Sequence, residues 1–433
     1  VSVNYEELIG ESPDPKSAAI RLDSLMRKDA IHSRLGGMSR EDVAAFIHLI
    51  SLSHFLYRFF SRHADAVDLL EDAVGGPIAG CDQVADFPSL RLYKYRQLLR
   101  ITWLELTGRI DCREVLRRLS DLAENVIRRA ISLVASGIGH ASPFCAFAMG
   151  KLGAGELNYS SDVDLIFTYG DAEDRGDDGD ACIGGVFTLI QKFTRAMEET
   201  TADGFLYRVD LKLRPWGRSG PPVLSVDETE HYYEASTEAW ERFAWLRARV
   251  IAGDMDLGAD LIHRLQPFIY LRALGSDDLR RFIQIKDEMA RQRKRMGGWN
   301  VKLGVGGIRD IEFFLQILQI VNAHRYPELK TTSTLDLLDG LVSTGLLPNL
   351  EGDAIRECYL FLRRLENRLQ MIDERQTHHL PEQPEERIRI ACSLGYGNVA
   401  DQATLERFDD ALGRHRDIAG ACFERILPGE GAP

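Results

Sequence analysis

The chain has 433 residues, 45% hydrophobic and 27% charged, which excludes a disordered chain and supplies enough core for two or three domains of roughly 150 residues. Its formal charge of −13 repels phosphate at long range and excludes a generic nucleic-acid binder, leaving room for local basic patches. Seven scattered cysteines without a CxxC pair point to reduced thiols in a cytoplasmic protein. No run of about 18 apolar residues is present to span a membrane, and the start, VSVNYEELIGESPDP, lacks the basic-then-apolar order of a secretory signal.

Residues 1–135 read as a helical region. EDVAAFIHLISLSHFLYRFFSRH (41–63) and LRLYKYRQLLRITWLELTG (90–108) place apolar residues at i, i+3 and i+4. Gly75, Gly76 and Pro77 break the pattern, and Gly80 and Pro88 punctuate the following loop. The character then changes over 136–258. FCAFAMG (144–150) suits a buried strand ending in glycine, and DVDLIFTY (162–169) alternates strictly. Val163, Leu165, Phe167 and Tyr169 fall on one face, Asp162, Asp164, Ile166 and Thr168 on the other. An acidic loop at 170–180 follows, with six acids and one arginine, then a helix over 183–200. FLYRVDLKLR (205–214) is predicted as a second alternating strand, with Leu206, Arg208, Asp210, Lys212 and Arg214 on its polar face. Pro215, Gly217, Gly220, Pro221 and Pro222 end it. Residues 259–433 read as a helical bundle, broken by GGWNVKLGVGGIRD (297–310) and closing on ERILPGEGAP, which resembles the start of an interdomain linker.

The chemistry is concentrated in GKLGAGELNYSSDVDLIF (150–167). Two carboxylates two residues apart on a strand, Asp162 and Asp164, point the same way about 7 Å apart. Such a pair repels itself unless a cation or an arginine lies between, so it suits divalent metal, with Asp210 offered from a neighbouring strand. Arg208, Lys212 and Arg214 around that third acid look like a phosphate environment beside a metal ligand. Gly150, Gly153 and Gly155 allow backbone N–H groups to approach phosphate oxygens, and Ser160 and Ser161 add hydroxyls. Neither a Walker A loop nor a dinucleotide-binding GxGxxG is present here.

These residues, GKLGxxELNYSSDxDLIF, with DGFLYRVDLKLRPWGRSGPPVLS, WERFAWLRARVIAGD, NVKLGVGGIRDIEFFLQ (300–316), FLRRLENRLQMIDERQTHHLP (361–381) and ESPD at 11–14, resemble the glutamine synthetase adenylyltransferase/adenylyl-removing enzyme family. The resemblance implies an α+β, predominantly helical chain. Its small mixed β-sheet nucleotidyltransferase core, DNA polymerase beta-like, is flanked by an N-terminal helical region and a C-terminal helical bundle. ELNYSSD and KLGVGGIRDIEF point to the adenylyl-removing half of that bifunctional family. Phosphorolysis of tyrosyl-AMP to ADP is then implied, with Mg²⁺ or Mn²⁺ on Asp162, Asp164 and Asp210. Nucleotide and phosphate would be bound by Gly150, Lys151, Ser160, Ser161, Arg208, Lys212, Arg214 and Arg218. The implied partners are adenylylated glutamine synthetase, the PII signal protein, nucleotide and inorganic phosphate, with no nucleic acid and no membrane. Attachment of AMP from ATP, and a non-catalytic nucleotide- or PII-sensing module, are the competing readings.

Other polar residues have plain structural readings. Lys151 is either a surface lysine or a phosphate contact. Glu156 and Asn158 either order the turn or touch nucleotide. Lys302, Arg309, Asp310 and Glu312 are either internal ion pairs or site residues. Arg363, Arg364, Glu366 and Asn367, on the polar side of an amphipathic helix, are expected at the surface, as are His378 and His379. RQRKRMGGWNVK (291–302), with five bases and no acid, reads as either a phosphate cradle or a solvated helix end.

Overall fold

A computed structural model of the chain describes residues 3–70, 80–139, 141–170, 179–235, 238–270, 275–294, 297–397 and 400–425. The turn at Gly75, Gly76 and Pro77, most of the acidic loop and the Pro/Gly tail lie outside these residues. The N-terminal helices begin where the sequence supplies caps. Asp14 accepts from the Ser17 N–H and is followed by Pro15, starting Pro15–Met26. Asp86 and Asp111 likewise start Phe87–Leu106 and Cys112–Ala135, each satisfying a backbone donor that the first helical turn leaves open. The apolar run 41–63 is two helices, Arg40–Leu52 and His54–Arg62, bent by 109° at the break. Ser53 divides them, because its hydroxyl accepts from the Leu56 N–H and donates to the distant Met371 carbonyl. Among the described residues no single helix is long and apolar enough to cross a membrane. All seven cysteines are free and buried.

Five strands form one mixed sheet in the order β3-β2-β1-β5, with β4 also on β2. β1 (Phe144–Ala148) pairs antiparallel with β2 (Val163–Tyr169) and with β5 (Arg249–Gly253). Two short strands, β3 (Val209–Asp210) and β4 (Leu224–Ser225), run parallel to opposite ends of β2 along the same edge. The strand predicted over 205–214 is thus confined to its two central residues. Beyond Asp210 the proline- and glycine-rich segment leaves the sheet and returns only at Leu224, since proline cannot donate to the ladder. No strand is predicted from the sequence at β5; its Val250-Ile251 pair suits the pleated surface beside β1.

One face of the sheet (Ala146, Ala148, Val163, Leu165, Phe167) joins the N-terminal helices in a single apolar cluster. That cluster runs unbroken across residue 135. The opposite face (Phe147, Met149, Ile166) packs under Tyr232, Tyr233, Trp245 and Leu246. β2 is therefore covered on both faces, and its acids sit at its N-terminal end. The third region gathers the helices Ile308–Asn322, Thr334–Ser343, Asn349–Met371, Pro384–Ser393 and Gln402–Glu424 around Ile311, Leu315, Leu338, Leu362 and Phe408.

Candidate active site

Asp164 on β2 stands opposite Asp210 on the parallel β3, in direct register. Asp162 lies just before β2, where Arg208 Nε donates to its Oδ1 at 2.5 Å. Arg208 also donates to the Ser160 carbonyl at 2.9 Å. Asp210 accepts from the Lys212 N–H at 2.8 Å and forms an ion pair with the Lys212 ammonium. Burial pushes the Asp164 carboxyl up to about 6, helped by the Asp210 and Asp162 carboxylates and opposed by the ammonium groups of Lys302 and Lys151. Three half-buried acids are thus crowded at one strand end, and Asp164 sits in an unfavourable field. Among the described residues no three ligand-type side chains already converge as a metal cage. The reason is visible: Asp162 and Asp210 are each turned to a cationic neighbour. Positive charge is what this arrangement calls for, and oxygen donors of this kind fit Mg²⁺ or Mn²⁺.

The glycine turn is packed for close approach. Gly150 has φ +54°, and a Cβ there would lie 2.7 Å from the Asp164 Oδ2; at Gly153 it would strike the Arg247 carbonyl oxygen at 1.7 Å. The turn therefore lies directly against the carboxylate on one side and against the backbone leading to β5 on the other.

Several residues assigned to nucleotide or phosphate from the sequence hold the frame instead. Lys151 is buried and donates to Glu366 at 2.6 Å; burial pushes its ammonium down to about 7. Ser160 is buried, its hydroxyl donating to the Glu374 carbonyl at 2.9 Å and its N–H to Gln370. Arg214 directs its guanidinium to three carbonyls, of Leu211, Gly220 and Pro221 at 2.6–3.0 Å. Ser161 is half-buried and Arg218 exposed. Glu156 and Asn158 order the turn. Glu156 accepts from the Thr334 N–H and the Tyr359 hydroxyl, and Asn158 accepts from Arg363.

The expectation of a solvated polar face on Asn349–Met371 is overturned. Arg363, Glu366 and Asn367 are fully buried, and only Arg364 is exposed. Glu366 receives Lys151, Arg363 and His378, the last at 2.8 Å, so His378 is not a surface residue. His379 lies 3.3 Å from the Asn300 amide. Asp310 pairs with Arg293, and Glu312 with Arg247 at 3.1 Å, so the basic stretch at 291 is anchored at Arg293 rather than left as a solvated helix end. Lys302, one of the residues left between an ion pair and the site, acts on the Asp164 carboxyl, and the Glu366 cluster is the site neighbour that sequence reasoning missed. Arg363, Glu366, Asn367 and Gln370 form a polar stripe at i, i+3, i+4 and i+7. Opposite charges on such a stripe were the available signal, but amphipathicity alone reads it as solvent-facing.

A family model described as Glutamate-ammonia ligase adenylyltransferase matches residues 44–263, and one described as GlnD PII-uridylyltransferase matches residues 280–427. The chain is also similar to curated bifunctional glutamine synthetase adenylyltransferase/adenylyl-removing enzymes. It is 38% identical over 368 residues to that of Thioalkalivibrio sulfidiphilus, covering 81% of this chain and 37% of the relative. For Hahella chejuensis the identity is 37% over 341 residues, covering 75% and 35%. For Stenotrophomonas maltophilia strain K279a it is 39% over 353 residues, covering 77% and 38%. The chain spans a little over a third of the length of these relatives. The stretch matched by the first family holds the whole glycine turn, all three aspartates and their basic neighbours, and the chain belongs to the glutamate-ammonia ligase adenylyltransferase family.

Proposed function

We propose that this chain removes AMP from adenylylated glutamine synthetase by phosphorolysis of the tyrosyl-AMP phosphodiester. The observation that carries the reading is Asp164 in register with Asp210, beside Asp162, in a chain of this family. Asp162, Asp164 and Asp210 are the residues that would hold Mg²⁺ or Mn²⁺, and such ions supply charge neutralisation at the attacking and leaving oxygens. An oxygen of inorganic phosphate attacks the α-phosphorus and a P–O–P bond forms. The bond from phosphorus to the tyrosyl oxygen breaks, and its electron pair leaves as phenolate, which takes a proton from water. The products are ADP and the unmodified tyrosine.

Both reactants are anionic, so the protein must lower their repulsion. Arg208 and Lys212 neutralise Asp162 and Asp210 by direct pairing, while exposed Arg218 and the bundle's Lys302 add positive charge. Phosphoryl transfer of this kind rests on positioning and charge rather than a protein nucleophile. A phenol of pKa about 10 leaves without a strong general acid. Removal rather than attachment is read from ELNYSSD and KLGVGGIRDIEF, and the PII signal protein is the regulator expected on this reading.

The test is incubation with adenylylated glutamine synthetase, Mg²⁺ and phosphate. ADP should appear, and Asp164→Asn should lower its release at least about 100-fold with little change in melting temperature. ATP consumption with labelling of unmodified glutamine synthetase would reverse the direction. Full turnover in Asp164→Asn would remove the carboxylates from the chemistry.

A further inference from the structure

We infer that Trp216 is the platform on which the purine base of the nucleotide stacks, and so a nucleotide-binding residue of this site; the inference rests on the function proposed above. Trp216 is 54% exposed, unusual for the largest apolar side chain. Its backbone is left-handed, with φ +57°, a conformation a bulky residue adopts only where the surroundings enforce it.

The surroundings do enforce it. The segment between β3 and β4 is fixed from within by Arg214, whose guanidinium holds the carbonyls of Leu211, Gly220 and Pro221. The Gly217 N–H closes a turn on the Arg214 carbonyl at 2.8 Å. A Cβ at Gly220 would meet the Trp216 Cβ at 3.1 Å. The indole is supported on one side by Tyr232, edge to face with ring centroids 4.7 Å apart, and Tyr232 is held by Glu241 at 2.9 Å. One large aromatic surface is thus presented to solvent on a rigid mount, the preorganisation that stacking requires.

Its place fits a nucleotide whose phosphates lie at the carboxylates. Lys212 donates its N–H to Asp210, and its carbonyl lies 3.4 Å from the position of a Cβ on Gly217, the residue after Trp216. The loop therefore folds Trp216 back towards Asp210. Tyr232 packs with Ile166, Phe147 and Met149, and Ile166 shares a sheet face with Asp164 by the two-residue period. Trp216 accordingly borders the face that displays the carboxylates, with exposed Arg218 two residues on. A base joined through ribose to the α-phosphate reaches outward from the acids, and an indole accepts any base by its π-face.

Calorimetric titration of the full chain with ADP and, separately, with pyrophosphate, both with Mg²⁺, tests this. Trp216→Ala should weaken ADP about tenfold, the size of one stacking contact, and leave pyrophosphate unchanged, while Trp216→Phe should restore ADP binding to within about threefold. Unchanged ADP affinity in Trp216→Ala, or equal loss for ADP and pyrophosphate, would overturn the stacking role while leaving the proposed function intact. In a parallel titration with adenylylated glutamine synthetase, binding weakened by Trp216→Ala while ADP affinity is unchanged would assign the indole to the protein substrate and overturn the inference. A wild-type chain that binds neither ADP nor pyrophosphate would overturn the proposed function together with it.

Discussion

At Gly150 the backbone is left-handed and a Cβ would lie 2.7 Å from the Asp164 Oδ2, so one residue sets both the turn and the position of a carboxylate. Gly155 is also left-handed, φ +70°, yet nothing lies within 4 Å of its added Cβ. The two positions separate strain from displacement. Gly150→Ala combines about 1–2 kcal/mol of backbone strain with a forced shift of Asp164, and misplacement of about 1 Å can cost 100-fold in rate. Gly155→Ala carries the strain alone. On the proposed function, turnover of adenylylated glutamine synthetase, set beside thermal melts, should therefore fall about 100-fold in the first variant and stay within a few-fold in the second. Equal losses in both would mean that the turn, not the carboxylate position, governs the rate. The three aspartates were legible because a two-residue period assigns side chains to a face. The roles of Lys151, Ser160 and Arg214 were not, since their partners are Glu366, Glu374 and carbonyls of a loop. Spacing along a strand carries no information about what lies across from it.

At the scale of elements, the helix Asn349–Met371 departs furthest from the sequence rules. Its apolar side, Cys358, Leu362, Leu365 and Leu369, lies in the bundle core as the helical period predicts. Its opposite side, Arg363, Glu366 and Asn367, is equally buried, because the glycine turn and the residues after it present matching polar groups. Although burial opposes ionisation, Lys151, the hydrogen bond from His378 and Arg363 hold the Glu366 carboxyl well below the usual carboxylate range. Removing one member of such a group leaves an uncompensated buried charge, at a cost of about 3–5 kcal/mol. Glu366→Ala should lower the unfolding free energy by that amount in denaturant melts. Arg364→Ala, on the exposed edge of the same helix, should change it by less than about 0.5 kcal/mol. A small effect at Glu366 would show that the cluster is internally redundant. The polar stripe at helical spacing is visible in the sequence; its burial depends on residues more than 200 positions earlier, and amphipathic periodicity cannot report that.

For the whole molecule, the N-terminal helices, the sheet and the C-terminal helices do not have separate interiors. The N-terminal helices share their apolar cluster with the sheet. The third region is tied to both by buried ion pairs: Lys151 with Glu366, Arg247 with Glu312, Arg368 with Glu105 at 2.9 Å, and Lys94 with Glu374 at 2.8 Å. Glu156 accepts from the Ser333 hydroxyl and the Thr334 N–H at the start of Thr334–Ser343 from across the interface, and Ser53 holds the Met371 carbonyl. A chain ending at residue 275 would uncover the apolar surface that Met371 closes in the N-terminal cluster and that Phe282 and Ile320 close around Trp245, so it should fail to fold. It should show no cooperative transition in calorimetry, while the full chain should unfold in a single transition whose calorimetric and van't Hoff enthalpies agree. A truncated chain with its own sharp transition, or two resolved transitions in the full chain, would show that the bundle is an independent domain. A single transition would mean instead that Asp164 and Asp210 are held in place by the bundle as much as by their own strands, because the turn that touches Asp164 is anchored through Lys151 to Glu366.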